Sequence, residues 1–143
     1  MRVLNIIITL IFFASMVVLT VTARDIHNAL LPQVTARRLT QEDFEFVIDF
    51  EYDGIPQTAV ITQKRLAIPK ELYNPDTSDA VFVVTTIYIN GEERVGVRRV
   101  VPQTNEKNEG FYEVTGGISR SDFVIFTSSK VLEDGAEVFI LAS

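Results

Sequence analysis

A chain of 143 residues with a formal net charge of −6 and no cysteine has room for one domain and cannot hold a disulfide framework, a thiolate metal site, an iron–sulfur cluster or a cysteine nucleophile. The acidic balance argues against nucleic acid, because a phosphate-binding surface needs a clustered basic excess to release counterions, and it disfavours docking on anionic lipid. The short basic groups Arg37-Arg38 and Arg98-Arg99 do not reverse this; they read as solvated strand or loop positions, with partner contacts as the alternative.

The first predicted element is a helix. Between Arg2 and Arg24 lies an uncharged run, Val3 to Ala23, in which thirteen of the 21 residues are Leu, Ile, Val or Phe. At about 1.5 Å per residue it reaches roughly 30 Å, the thickness of a hydrocarbon core. Residues 1–23 are therefore expected to form a single transmembrane anchor, touching lipid through residues 3–23. The rival reading is a cleaved signal peptide, for which Arg2 supplies a basic start and Val21-Thr22-Ala23 a small-residue end; against it, the run exceeds the roughly 7–15 residues of a signal core. With the amine and Arg2 inside, and Arg24 offset by Asp25, the rest of the chain is expected on the extracytoplasmic side of the cell membrane.

Residues 24–41, with Leu30-Leu31-Pro32 in their middle, read as a juxtamembrane linker followed by a short extended piece. The β domain is placed at residues 42–143. Phe44, Phe46, Ile48 and Phe50 fall on one side of a period-two pattern and Glu45, Val47, Asp49 and Glu51 on the other, which predicts a half-buried strand ended by an Asp53-Gly54 turn. Thr58 to Thr62 and Leu66 to Ile68 predict two short strands, with Pro69 stopping the second and Asn74-Pro75-Asp76 forming a loop. Ala80 to Asn90 is the richest β stretch. The Asn90-Gly91 pair suits a type I′ turn, whose central residues both need positive φ, so a hairpin partner is expected from Glu92 to Val101. A polar loop from Gln103 to Glu109 follows, then strands at Phe111 to Thr115 and Phe123 to Thr127 around Gly116-Gly117, with a turn of helix possible in Arg120 to Asp122 and Ser129 to Leu132. Asp134-Gly135 leads into a last strand, Glu137 to Leu141. Seven to nine closely spaced strands predict an all-β fold, a small antiparallel barrel or sandwich behind one N-terminal helix.

Residues able to do chemistry are few. The single histidine, His27, lies four residues past Ala23 without a nucleophile or metal-ligand spacing near it, and is read as an interfacial residue. Acidic residues in strands alternate outward, as Glu45 and Asp49 do, the pattern of a solvated sheet face. The glycines sit in turn dipeptides, and Ser119, Ser121, Ser128 and Ser129 lack a nucleophile elbow. The chain is accordingly expected to be non-enzymatic, with no cofactor and no metal.

From Leu66 onward the motifs, taken in order, resemble one known family. Ile68-Pro69-Lys70-Glu71-Leu72, a loop and Ala80-Val81-Phe82-Val83-Val84 are similar to a passage "I-P-x-x-A/L … V-F-V-V"; Arg98-Arg99-Val100 stands where that family has a basic residue and valines. Tyr112 to Ile125 is similar to "Y-x-V-x-x-G-L-x-x-G-D-x-V-V", and Leu132-Glu133-Asp134-Gly135-Ala136-Glu137-Val138 to a closing "L-x-D-G-x-x-V". The family is that of the bacterial periplasmic adaptors, or membrane fusion proteins of the HlyD type. Leu31-Pro32-Gln33-Val34-Thr35 after the anchor is similar to the start of Gram-positive-type adaptors. Two departures stand out: Ser121 replaces a preferred Gly, and there is neither length nor heptad pattern for a lipoyl-like domain and helical hairpin.

The resemblance implies a membrane-proximal β domain that docks on the outer surface of an export permease without building a tunnel. The loops expected to make that contact contain Asn74, Asp76, Gly116, Gly117, Arg120 and Asp122. The alternative function is a secreted or anchored β-sandwich module binding a small ligand or cell-wall component. Oligomeric state is not legible.

Overall fold

The computed structural model describes residues 2–106 and 109–141. No Gly or Pro interrupts the chain between Arg2 and Pro32, and the first helix, α1 (Arg2–Leu30), runs unbroken for 29 residues, about 43 Å at the α-helical rise. It is long and apolar enough to cross a membrane. Its hydroxyls turn back on their own helix: Thr9 Oγ1 donates to Asn5 O, Ser15 Oγ to Ile11 O, Thr20 Oγ1 to Met16 O and Thr22 Oγ1 to Val18 O, each at 2.8 Å. Such bonds satisfy the hydroxyls within the helix, as a hydrocarbon surrounding requires.

Nine strands follow: β1 (Gln33–Arg38), β2 (Gln41–Tyr52), β3 (Ile55–Pro69), β4 (Val81–Ile89), β5 (Glu92–Val100), β6 (Gln103–Glu106), β7 (Phe111–Gly116), β8 (Phe123–Ser128) and β9 (Phe139–Ile140). They form a five-stranded sheet, β5-β4-β8-β1-β9, and a four-stranded sheet, β2-β3-β7-β6. The all-β architecture behind one N-terminal helix is as the sequence predicts. Both two-residue hairpins are present, with positive φ at Asp53 (52°) and Gly54 (76°) and at Asn90 (52°) and Gly91 (82°).

The five-stranded sheet is buried on both faces. On one side Val81, Val83, Val100 and Val124 meet Leu66, Ile68, Tyr112 and Val114 of the other sheet, together with Tyr73 and Ile118. On its other side Val34, Val97 and Ile125 are covered by Val138, with Leu132 and Ala136 packed alongside. That cover is the C-terminal strap, residues 129–138, pinned to β5 by Val97 N donating to Ala136 O, Gly135 N to Val97 O and Val138 N to Val95 O. Burial on both faces explains why β4 begins as the continuous apolar run Val81 to Val84 rather than an alternation.

Several expectations are corrected. The first part of residues 24–41 is helix and not linker, since nothing before Pro32 stops α1 from taking Arg24 to Leu30, while the short extended piece expected after it is β1, which enters the sheet two residues later. The short strands expected at 58–62 and 66–68 are one strand, because Gln63, Lys64 and Arg65 pair with Phe44, Asp43 and Glu42 across the ladder. Gln103 to Glu106, expected in a loop, is β6, an edge strand on β7; residues 107–108 of that loop lie outside the described residues. The last strand is shorter than expected and pairs parallel to β1, Gln33 opposite Phe139 and Val34 opposite Ile140, because the strap carries the chain across the sheet instead of turning it back. Arg120 to Asp122 is a hydrogen-bonded turn and Ser129 to Leu132 is non-helical.

Candidate docking surfaces

The β domain abuts the end of α1. Lys130 Nζ donates to Leu30 O, Phe139 N donates to Pro32 O at 2.9 Å, and His27 Nε2 lies 3.4 Å from Glu137 Oε2. An open concavity of about 470 Å³ between helix and β5 is lined by Arg24, His27, Glu92 and Arg94; Arg94 already pairs with Glu92. A smaller groove, about 170 Å³, is lined by Pro69, Glu71, Leu72 and Phe126. That is below the roughly 300 Å³ at which small-molecule sites begin. Among the described residues no group of three His, Cys, Asp or Glu side chains is placed to hold a metal ion.

The residues expected to make partner contacts fall in two loops. Asn74 closes its own turn: Asp76 N donates to Asn74 Oδ1 at 2.9 Å, and Thr77 N and Ser78 N donate to Asn74 O. Asp76 is exposed at the tip. In the second loop Asp122 Oδ2 accepts from Ser119 N at 2.8 Å, and Gly117, at φ +85°, packs against the backbone of Val101 and Pro102. Gly116 ends β7. Both loops leave the same core, through Tyr73 and Ile118, but the bonds of Asn74 and Asp76 stay within their own turn. Arg120 faces Gln41 at the start of β2; with the Gln41 carboxamide oxygen turned toward it, the guanidinium Nε donates at 3.2 Å.

The element that sequence reasoning placed but did not interpret is the β2–β3 hairpin. Its strands pair with each other from Gln41–Leu66 to Tyr52–Ile55, and only Ala67 to Pro69 continue the ladder onto β7. Residues 41–65 contribute to neither core cluster. At its foot Phe44 is buried, Arg65 stacks over Phe46 at 5.6 Å, and Arg65 Nε reaches the buried carboxylate of Glu113 on β7 at 3.9 Å. Beyond Phe46 the hairpin is an arm that leaves the body. Ile48 and Phe50, expected to be half-buried, are exposed, as are Tyr52 and Ile55. The alternation was legible; the missing partner was not, since period two assigns faces and says nothing about what lies against them.

The basic pairs are strand surface. Arg37 and Arg38 lie over the rings of Phe126 and Phe123 on neighbouring β8, at 5.9 and 4.8 Å. Ser119 and Ser121 bond each other and Ser129 Oγ accepts from Gln33 N. No family model, no curated protein and no solved structure matches this chain. The likeness to HlyD-type adaptors therefore stands on the motifs alone.

Proposed function

We propose that this chain is a membrane-tethered, non-catalytic docking subunit whose β domain sits against the extracytoplasmic surface of the bilayer and binds the exposed part of an integral membrane partner. The observation that carries this reading is the junction between helix and domain. Two residues separate α1 from β1, and the Lys130–Leu30 and His27–Glu137 contacts tie the strap to the helix end, so a helix crossing the membrane holds the domain at its surface instead of on a long leash.

The groove beside Leu72 is too small to enclose a ligand, and the larger concavity at Arg24, His27, Glu92 and Arg94 is open and lined by charged groups instead of the apolar walls of a small-molecule site, which favours surface recognition. The turn-rich loops at 74–79 and 117–122 present polar groups of the kind loops use for specificity. The partner class, a permease of an export system, comes from the resemblance of Leu66 to Val138 to the adaptor family; the chain has no equivalent of that family's hairpin.

The test is to solubilise the protein from its native membrane in mild detergent, capture it by a C-terminal tag and identify what accompanies it by mass spectrometry. A multi-spanning permease in stoichiometric amount, with residues 1–23 still on the bait, is the expected result. A bait free of membrane partners would overturn the docking reading, and one beginning at Arg24 would return the chain to the class of secreted binding modules.

A further inference from the structure

The two faces of the arm differ in kind. Residues opposite one another in the ladder share a face, so the register puts Phe46, Ile48, Phe50 and Tyr52 with Ile61 and Ile55 on one side, where Gln57 opposite Phe50 is the polar exception. The other side carries Asp43, Glu45, Asp49 and Glu51, relieved by Lys64 and one Val47–Val60 pair. On the apolar side Ile48 is 42%, Phe50 47%, Ile55 58% and Tyr52 73% exposed. Taking roughly 200 Å² for each large side chain, these four leave about 400 Å² of contiguous apolar surface open. That is within the roughly 300–600 Å² of the largest apolar patch on a typical monomer, a patch that is often functional. A two-stranded ribbon standing alone is also marginal in water, and a third layer or strand is what stabilises it.

We infer that a second copy of this chain covers that face, the two arms stacking apolar side to apolar side about a two-fold axis. A stacked pair removes at most roughly 800–900 Å² through these four residues on each arm, and their half-buried neighbour Ile61 brings it toward the roughly 1,000 Å² at the lower limit of a specific interface. Charge decides the mode. Edge-to-edge pairing of two β2 strands would set Asp43, Glu45, Asp49 and Glu51 of both copies on one common face, where like charges across a ladder repel. Face-to-face stacking, with sheets about 10 Å apart, turns both acidic faces outward into water and away from each other. The anchor adds to this: two copies in one membrane have parallel helices, so the only two-fold available lies along the membrane normal, and confinement to a surface raises their effective concentration. That orienting argument rests on the tethered reading above; the chemistry of the arm does not.

The absence of cysteine makes the test clean. Full-length Ile48→Cys and Asp49→Cys proteins, in their own membranes, are treated with a short bismaleimide and resolved on a denaturing gel. Ile48→Cys, at the centre of the apolar face, is expected to give a cross-linked dimer as the main product and Asp49→Cys, one residue away on the acidic face, to stay monomeric; adding Phe50→Glu to Ile48→Cys is expected to abolish the dimer band. Equal cross-linking at both positions, no dimer from Ile48→Cys, or its attachment to a different protein would overturn the inference. If the protein is recovered outside the membrane, the same reagents read the arm contact in solution, where a dimer from Ile48→Cys alone sustains the arm contact while the tether fails.

Discussion

Arg65 stacks over Phe46 within the hairpin and ties it to the body by reaching the Glu113 carboxylate, which is only 6% exposed. A buried carboxylate left without its cation costs more than an exposed pair contributes, because the desolvation stays when the partner goes. Arg65 is itself half-exposed, so its removal is expected to cost about 1–2 kcal/mol rather than the full value for a buried pair. Thermal unfolding of Arg65→Ala in detergent checks this, and Glu113→Gln in the same background should recover part of the loss. Glycines separate by environment in the same way. Gly91 and Gly117 both have positive φ, but a Cβ at Gly91 meets open space, whereas at Gly117 it would come within 3.0 Å of the Val101 carbonyl oxygen. Gly91→Ala should cost about 1 kcal/mol from backbone strain alone, and Gly117→Ala measurably more. An equal cost would show that the loop at 117 yields without resistance. Of these features the turn at Asn90-Gly91 was legible in the sequence because its chemistry is local. The Arg65–Glu113 contact was not, since it joins positions 48 residues apart and Glu113 reads as one more alternating acid.

Among the elements, those with strong local signals were found and those defined by their neighbours were not. β4 and β8 announce themselves by runs of Val, Ile and Phe. β6 is the polar tetrapeptide Gln-Thr-Asn-Glu and is a strand only because β7 offers it an edge. The strap was expected to hold a turn and a strand, yet its position over Val34, Val97 and Ile125 depends on long-range hydrogen bonds to β5 that no periodicity reveals. Packing predicts the ranking of stabilities. Val124, fully buried between the sheets, should cost about 2–3 kcal/mol when cut to Ala. Hydrogen exchange should divide the protein along the same line: amides of β4 and β8 the most protected, and those of the arm beyond Phe46 much less so at low surface density, where few copies meet. Protection of the arm should rise as copies are crowded in the membrane while that of β4 stays constant; arm amides as slow as those of β4 at every density would mean that the ribbon is stable alone.

At the scale of the whole molecule three parts have distinct surroundings. α1 presents apolar side chains on all sides, most of them more than half exposed, a surface apolar enough to face lipid. The sandwich is self-sufficient, with its core filled from both sheets and the strap. The arm alone is amphipathic and uncovered. Length, the apolar run and strand spacing made this division into helix and β domain readable from the sequence. The seam between them was not, because the helix continues past Ala23 through residues whose charges suggested a linker.

The measurement that tests the account most directly is the intact mass of the protein retained in membranes after a carbonate wash. The full chain, residues 1–143, is expected in the washed pellet, with the β domain open to protease added on the extracytoplasmic side. A chain beginning at Arg24 and recovered in the wash would contradict it: the helix would then be a leader, and the domain would work away from the membrane.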